Sequence, residues 1–344
     1  MRSFILENIE KHPGDIAKLT SEHFSVSRQA VSKHLRHLIT ERVLIEEGET
    51  RNRKYKLCPL AKWDKTYELT PGLEEDVVWR NDVLPVLGQL PGNVADIWSY
   101  GFTEMFNNAI DHSDAPHILV RLNKTATSTE ICIYDDGIGI FRKITTALGL
   151  LDERHAVLEL SKGKLTTDPK NHTGEGIFFS SRMFDQFQIL SSGTYFSHKY
   201  GDDEDWVLEA TDPSTGTAVF MRLNNHTSRT THRVFSEFQS GEDIGFTKTV
   251  VPVRLAQYGD DKLISRSQAK RLLARVDRFK TVILDFREVA TIGQAFADEI
   301  FRVFRNNHPE IDLYPIHATT DVQDVIRRAE NPASGQPTDA LSPR

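Results

Sequence analysis

Three polar residues, Glu104, Asn108 and Asp111, recur at i, i+4 and i+7 within residues 101–113, GFTEMFNNAIDHS. On a helix they share one face. An ionisable carboxylate can take a proton from water, whereas an amide oxygen can hold a hard cation but cannot accept that proton. A second group follows, in which residues 135–139 spell D-D-G-I-G. Its glycines, Gly137 and Gly139, let backbone come close to a ligand beside the carboxylate of Asp135. Further on stand Gly174-Glu175-Gly176 and Gly216-Thr217. Glycines that open a helix can aim backbone N–H groups at phosphates. Taken in this order, the residues read as a nucleotide site.

Periodicity predicts the elements that position them. Phe102, Met105, Phe106, Ala109 and Ile110 form an apolar stripe opposite the polar face, the pattern of a helix packed inward on one side. In 117–122, Ile118, Val120 and Leu122 alternate with other residues, and in 130–134 so do Ile131 and Ile133. Two strands are expected there, the second delivering Asp135 at its end. Residues 141–173 combine a short apolar helix, 156–160, with a polar stretch. Lys162, Lys164 and His172 are its candidate phosphate contacts, with simple solvation as the alternative for the lysines. Gly174 and Gly176 then precede a helix, IFFSSRMFD, and residues 212–217 turn into a strand, AVFMRL.

The combination of E-x-x-x-N-A on a helix, D-x-G-x-G after a strand and a later G-x-G resembles the Bergerat-fold, or GHKL, ATPases, over roughly residues 80 to 225. This family includes gyrase B, the heat-shock chaperone ATPases, histidine kinases and MutL. The resemblance implies ATP with Mg2+. Glu104 matches the residue that activates the attacking water, Asn108 the magnesium ligand, and Asp135 the carboxylate that accepts the adenine amino hydrogen. It makes residues 141–173 the ATP lid. Asp111, Gly137, Gly139, Gly174, Gly176 and Thr217 complete the expected ATP-binding set, the Thr217 hydroxyl helping to hold the aspartate and its water.

The chain has 344 residues, enough for two or three domains, and a formal charge of -7. Residues 1–60 carry 11 Lys/Arg against 8 Asp/Glu, net +3, so the remainder is -10. A basic N-terminal segment on an acidic chain points to one nucleic-acid-facing module. Cys58 and Cys132 are far apart and make no metal-ligand spacing. The N-terminus lacks the pattern of a signal peptide, and no apolar run approaches the ~20 residues of a membrane span, so a cytoplasmic location with no membrane partner is expected.

Residues 1–57 read as three helices and a hairpin. Asp15 is expected to cap the second helix, and the third begins near Ser27 with Ala30, Val31, Leu35, Leu38 and Ile39 as its buried stripe. This resembles the winged helix-turn-helix of bacterial transcription regulators. The resemblance implies double-stranded DNA as partner. Arg28, Gln29, Ser32, Lys33 and Arg36 would lie on the recognition helix, with Arg51, Arg53 and Lys54 near the wing tip. A homodimer is expected because two half-sites multiply a weak module's affinity.

From Phe246 a β-α-β-α-β-α order begins, implying a small α/β layer with at least partly parallel strands. Its stretch DFREVATIGQAFADEI resembles that of the STAS domains of anti-sigma-factor antagonists, which implies a protein partner. Where those carry a phosphorylatable serine, this chain has Gly293-Gln294-Ala295.

The expected fold is therefore multi-domain α+β. It comprises a winged helix-turn-helix (1–60), a connector (61–79), a Bergerat-fold α/β sandwich (80–226), a linker (227–245), a STAS-like domain (246–330) and a disordered tail (331–344). The expected function is an ATP-binding, DNA-binding transcriptional regulator, with a possible ATPase activity through Glu104. A GHKL serine kinase acting on a partner, or a DNA-stimulated ATPase, are the alternatives.

Overall fold

The computed structural model describes residues 1–49, 52–166, 173–201, 206–209, 215–241, 245–257 and 262–331. Arg51, His172, residues 212–214 of the predicted turn and the tail from 332 lie outside the described residues. The chain forms two compact units, one of residues 1–143 and 179–234, the other of 144–178 and 235–344.

The first unit opens with α1 (Arg2–Asn8), α2 (Ile16–Phe24), α3 (Arg28–Thr40) and an antiparallel hairpin, β1 (Leu44–Glu47) with β2 (Lys54–Leu57). The Ser27 hydroxyl caps α3 by accepting from the backbone N–H of Ala30. Asp15 stands at the start of α2 but makes no side-chain cap. Ile5, Ile9, Ile16, Val31, Leu35, Leu38, Val43, Leu44, Tyr55 and Leu57 make the core of this part. Ala30, expected in the buried stripe, is exposed. It is out of phase with Val31, Leu35 and Leu38, whose i, i+4, i+7 spacing defines the buried face of α3.

Next comes β3 (Ala61–Glu68), from the stretch expected to be a connector. It is followed by α4 (Glu75–Val78), a π-turn at Trp79–Val83 and α5 (Leu84–Leu87). The 21-residue α6 (Gly92–His112) leads to β4 (His117–Lys124) and β5 (Ser128–Asp135). After the excursion into the second unit come β6 (Gln186–Ser191), β7 (Thr194–Lys199), β8 (Trp206–Glu209) and β9 (Thr217–Asn224). They form one antiparallel sheet in the order β3-β4-β5-β9-β6-β7-β8. Ile118, Val120, Leu122, Ile131, Ile133, Val219, Met221, Phe187 and Ile189 bury one face of it. From α6, Val94, Ile97, Trp98, Phe102, Met105, Phe106 and Ala109 are buried. Trp79, Phe102, Phe106 and Tyr67 pack ring against ring in series, at centroid distances of 5.4 to 5.6 Å, the Tyr67–Phe106 pair edge-on. Aromatic pairs at this spacing stabilise beyond their area alone.

The N-terminal helices are tied to the sheet. Arg222 on β9 pairs with Glu10 after α1 and reaches Glu130 on β5 at 3.5 Å. Ala126, in the β4–β5 turn, packs on the core of the N-terminal part.

The second unit contains most of α7 (Ile140–Leu148), all of α8 (Glu153–Lys162) and the start of α9 (Gly176–Met183). It resumes with the end of α10 (Thr231–Glu237), inside the stretch expected to be a linker. Then come β10 (Lys248–Pro252), α11 (Arg266–Leu273), β11 (Thr281–Asp285) and α12 (Gln294–Asp298). A π-turn at Glu299–Phe304 continues into α13 (Arg305–Asn307), followed by β12 (Asp312–Ile316) and α14 (Thr320–Glu330). The three strands are all parallel, in the order β10-β11-β12. Val251, Val282, Leu284 and Leu313 bury one face. Helix α11 starts with a capping box between Ser265 and Gln268. Among the described residues no helix is long and apolar enough to cross a membrane.

Candidate functional site

Strand β5 ends at Asp135, paired in register with Thr217 at the start of β9. The Asp135 side chain is 5% exposed. Its Oδ1 accepts from the backbone N–H of Gly137 at 3.1 Å and of Thr217 at 3.3 Å. The Thr217 side chain also hydrogen-bonds the carboxylate, which is thus anchored between the two strand ends. Burial pushes the carboxyl up to about 6, against the two backbone hydrogen bonds, which favour its charged form.

Around this carboxylate the loop is held by hydroxyls. Thr217 Oγ1 accepts from the N–H of Ile140 at 3.0 Å, and Ser191 Oγ donates to the Gly216 carbonyl at 2.9 Å. The backbone N–H of Ile138 donates to the carbonyl of Ser113, the residue that ends α6, at 3.0 Å. Gly137 is required by that approach, since a Cβ there would lie 2.0 Å from the same carbonyl oxygen. Gly139 has φ +90°, and a Cβ would lie 2.5 Å from Ser192 Oγ and 2.7 Å from Ser191 Oγ. Asp135, Gly137, Gly139 and Thr217 are thus brought together. Asp136 turns the other way, toward His117, whose Nδ1 lies 3.1 Å from it.

Helix α6 carries the remaining first-unit candidates. Glu104 and Asn108 are half-buried and Asp111 is exposed. Asn108 has no described side-chain hydrogen bond, so its amide oxygen is available. Among the described residues, no group of three or more His, Cys, Asp or Glu side chains could hold a metal ion. Sequence reasoning missed Ser113, Ser191 and Ser192. Ser191 closes an alternating strand, and nothing local marks it as a neighbour of Gly139.

Gly174 and Gly176 fall in the second unit, where the Gly174 carbonyl accepts from the N–H of Leu165 and Gly176 opens α9. Of the two lysines of this segment, Lys162 is buried and Lys164 half-buried. Lys162 is 1% exposed, and its ammonium donates to Glu159 Oε1 at 2.6 Å, the Ala274 carbonyl at 2.9 Å and the Arg271 carbonyl at 3.2 Å. All three ammonium hydrogens are thereby used. Lys164 lies over the Phe279 and Phe246 rings at 4.8 and 5.5 Å and donates to the Arg278 carbonyl. Burial lowers the pKa of both lysines.

In the N-terminal part, Arg28, Gln29, Lys33, Arg36, Arg53 and Lys54 are exposed and Ser32 is half-buried. Arg53 is engaged by Glu46 at 2.8 Å. In the second unit, Gly293 precedes α12, with Gln294 and Ala295 exposed in its first turn.

The chain is a multi-domain α+β protein with an α/β subdomain built on a short parallel sheet. Residues 268–323, covering most of that subdomain, match the family described as a STAS-like domain of unknown function (DUF4325). The chain therefore carries a STAS-like domain. No curated protein matches the chain.

Proposed function

We propose that this protein is an ATP-binding transcriptional regulator, in which a GHKL-type module controls a winged-helix head and a STAS-like interaction domain. The observation that carries the reading is Asp135. A buried carboxylate whose Oδ1 is held in place by two backbone N–H groups is suited to accept a hydrogen bond from the exocyclic amine of adenine. A guanine would present a carbonyl there and be repelled. Asn108 would hold Mg2+ through its amide oxygen, with phosphate oxygens and water completing the coordination, as that ion prefers. Glu104, one turn earlier on α6, is the candidate base for any hydrolysis. Gly137, Gly139, Gly174, Gly176, Asp111 and Thr217 are the remaining candidate contacts.

The N-terminal three helices and hairpin support the winged-helix part of the reading. Arg28, Gln29, Ser32, Lys33 and Arg36 would face base edges and phosphates, with Arg53 and Lys54 on the backbone. The Arg53–Glu46 pair is exposed and therefore weak, so a phosphate can displace it. The expected assembly is a homodimer on two half-sites. Calorimetric titration of the full chain with ATP and GTP, each with and without Mg2+, tests the core of the reading. Selective ATP binding is expected, and equal or absent binding of both nucleotides would refute it.

A further inference from the structure

The STAS-like family match begins at residue 268, yet the unit that contains it also takes in a segment from more than a hundred residues upstream. Helix α8 is buried continuously from Ala156 to Lys162, including the polar Glu159, Ser161 and Lys162. A helix buried on every side is part of a core. Its contacts go to the STAS-like elements. The Thr249 hydroxyl on β10 donates to the Lys162 carbonyl at 2.6 Å. The Lys162 ammonium caps the C-terminal carbonyls of α11, Arg271 and Ala274, where a cation also meets the negative end of the helix dipole. Glu159 neutralises that ammonium, with Arg275 at 3.8 Å on its other oxygen. Downstream, Lys164 and Arg278 exchange hydrogen bonds through each other's carbonyls. Phe178 packs on Phe246 at 4.4 Å and on Phe238 at 4.9 Å, and Phe246 in turn on Phe279 at 5.0 Å.

We infer that segments 153–166 and 173–178 are a built-in part of the STAS-like domain, so that this domain moves with them and reports the nucleotide state of the motifs on either side. The reporting half rests on the ATP reading above. The structural half rests only on contacts within one unit. Sequence continuity gives the coupling its route. Helix α7 links Asp135–Gly139 to the segment, which carries Gly174 and Gly176 and returns to the first unit at 178/179. A ligand that favours one arrangement of the segment must therefore favour one state of the whole STAS-like body.

Hydrogen exchange by mass spectrometry on the full chain tests both halves. Without nucleotide, peptides covering 153–162, 248–252 and 281–285 are expected to lose protection together as denaturant rises. Thr249→Val keeps the side-chain shape but removes the donor to Lys162. It should speed exchange by roughly tenfold, and by the same factor in all three peptides. Earlier, separate opening of 153–162, or a response confined to it, would overturn the structural half. With saturating ATP and Mg2+, exchange in 248–252 and 281–285 should change along with that in 101–139. ATP that binds by calorimetry but leaves those second-unit peptides unchanged would overturn the reporting half. No ATP binding at all would sink the ATP reading and the reporting half with it, and the denaturant series would still decide the structural half.

Discussion

Asp135→Asn is the most informative single change, because it separates the folding cost of the site from its binding role. In the folded chain the Asp135 carboxyl sits at about 6 against an ordinary value of 3.8, a rise of about two units. Each unit corresponds to 1.36 kcal/mol, so ionised Asp135 costs the folded state roughly 3 kcal/mol at neutral pH. The sign follows from the direction of the shift. A raised folded pKa means that stability is fully present below about pH 4 and is lost as pH rises through about 6. An asparagine has no charge to desolvate, and its carbonyl oxygen can still accept from Gly137 and Thr217. The variant should therefore gain on the wild type between pH 4 and 6 and hold a constant advantage of a few kcal/mol above that. Trp63, Trp79, Trp98 and Trp206 all fall in the first unit, so tryptophan fluorescence during urea unfolding reads this unit alone. ATP binding should move in the opposite direction. If the amide NH2 faces the nucleotide, it meets the adenine amine. If it faces the loop, it meets two backbone N–H groups. Either way donors oppose donors, and affinity should fall on the order of 10²-fold. A variant no more stable than the wild type at pH 7, or one whose advantage does not grow between pH 4 and 6, would refute the electrostatic reasoning. Undiminished ATP affinity would refute the role of Asp135.

Asn108→Ala should abolish Mg2+-dependent ATP binding, while Glu104→Ala should keep binding and lower any phosphate release on the order of 10²-fold; equal loss of binding in both would make Glu104 structural. Full-length protein should bind duplex DNA with strong salt dependence by fluorescence anisotropy. Arg53→Ala should weaken all sequences alike and Arg28→Ala should chiefly relax specificity, by about 1–3 kcal/mol at one base pair; no DNA affinity at low salt would end the transcriptional reading. After incubation with ATP, residues 285–300 should stay unphosphorylated, since Gln294 and Ala295 present no hydroxyl, and phosphate mapped to Thr291 would contradict this.

Where the fold follows short-range pattern, the sequence was a sufficient guide. The alternation in 118–122 and 131–133 predicted two strands, and those residues are buried on one face of the large sheet. The C-terminal order of strands and helices predicted a small α/β layer, and all three strands proved parallel. Strand β3 escaped notice because it is an edge strand with five exposed residues among its eight, so its apolar alternation is weak. Helix α10 escaped because only Val234 among its residues is buried. At the candidate site the two ends of the ladder were visible as D-x-G-x-G and G-T. The serines that line Gly139 come from a hairpin some 50 residues away, and no periodicity reports a contact made only in the folded chain.

Lys162 shows the same limit in its sharpest form. Read in sequence, Ser161-Lys162-Gly163-Lys164 is a basic loop beside a glycine, which suits either phosphate or solvent. Both readings assume an accessible ammonium. The fold instead uses the lysine where a hydrophobe would leave the Ala274 carbonyl, at the end of α11, without its donor. Removing either member of a buried pair such as Glu159–Lys162 typically costs about 3–5 kcal/mol, because the surviving charge stays buried. A well-packed apolar pair can be nearly neutral in such a place, but it could not reach the carbonyls of Arg271 and Ala274. The charge is therefore explained by what it fixes. It holds one helix end against another over more than a hundred residues of chain, in a register that an apolar contact would leave free to slide.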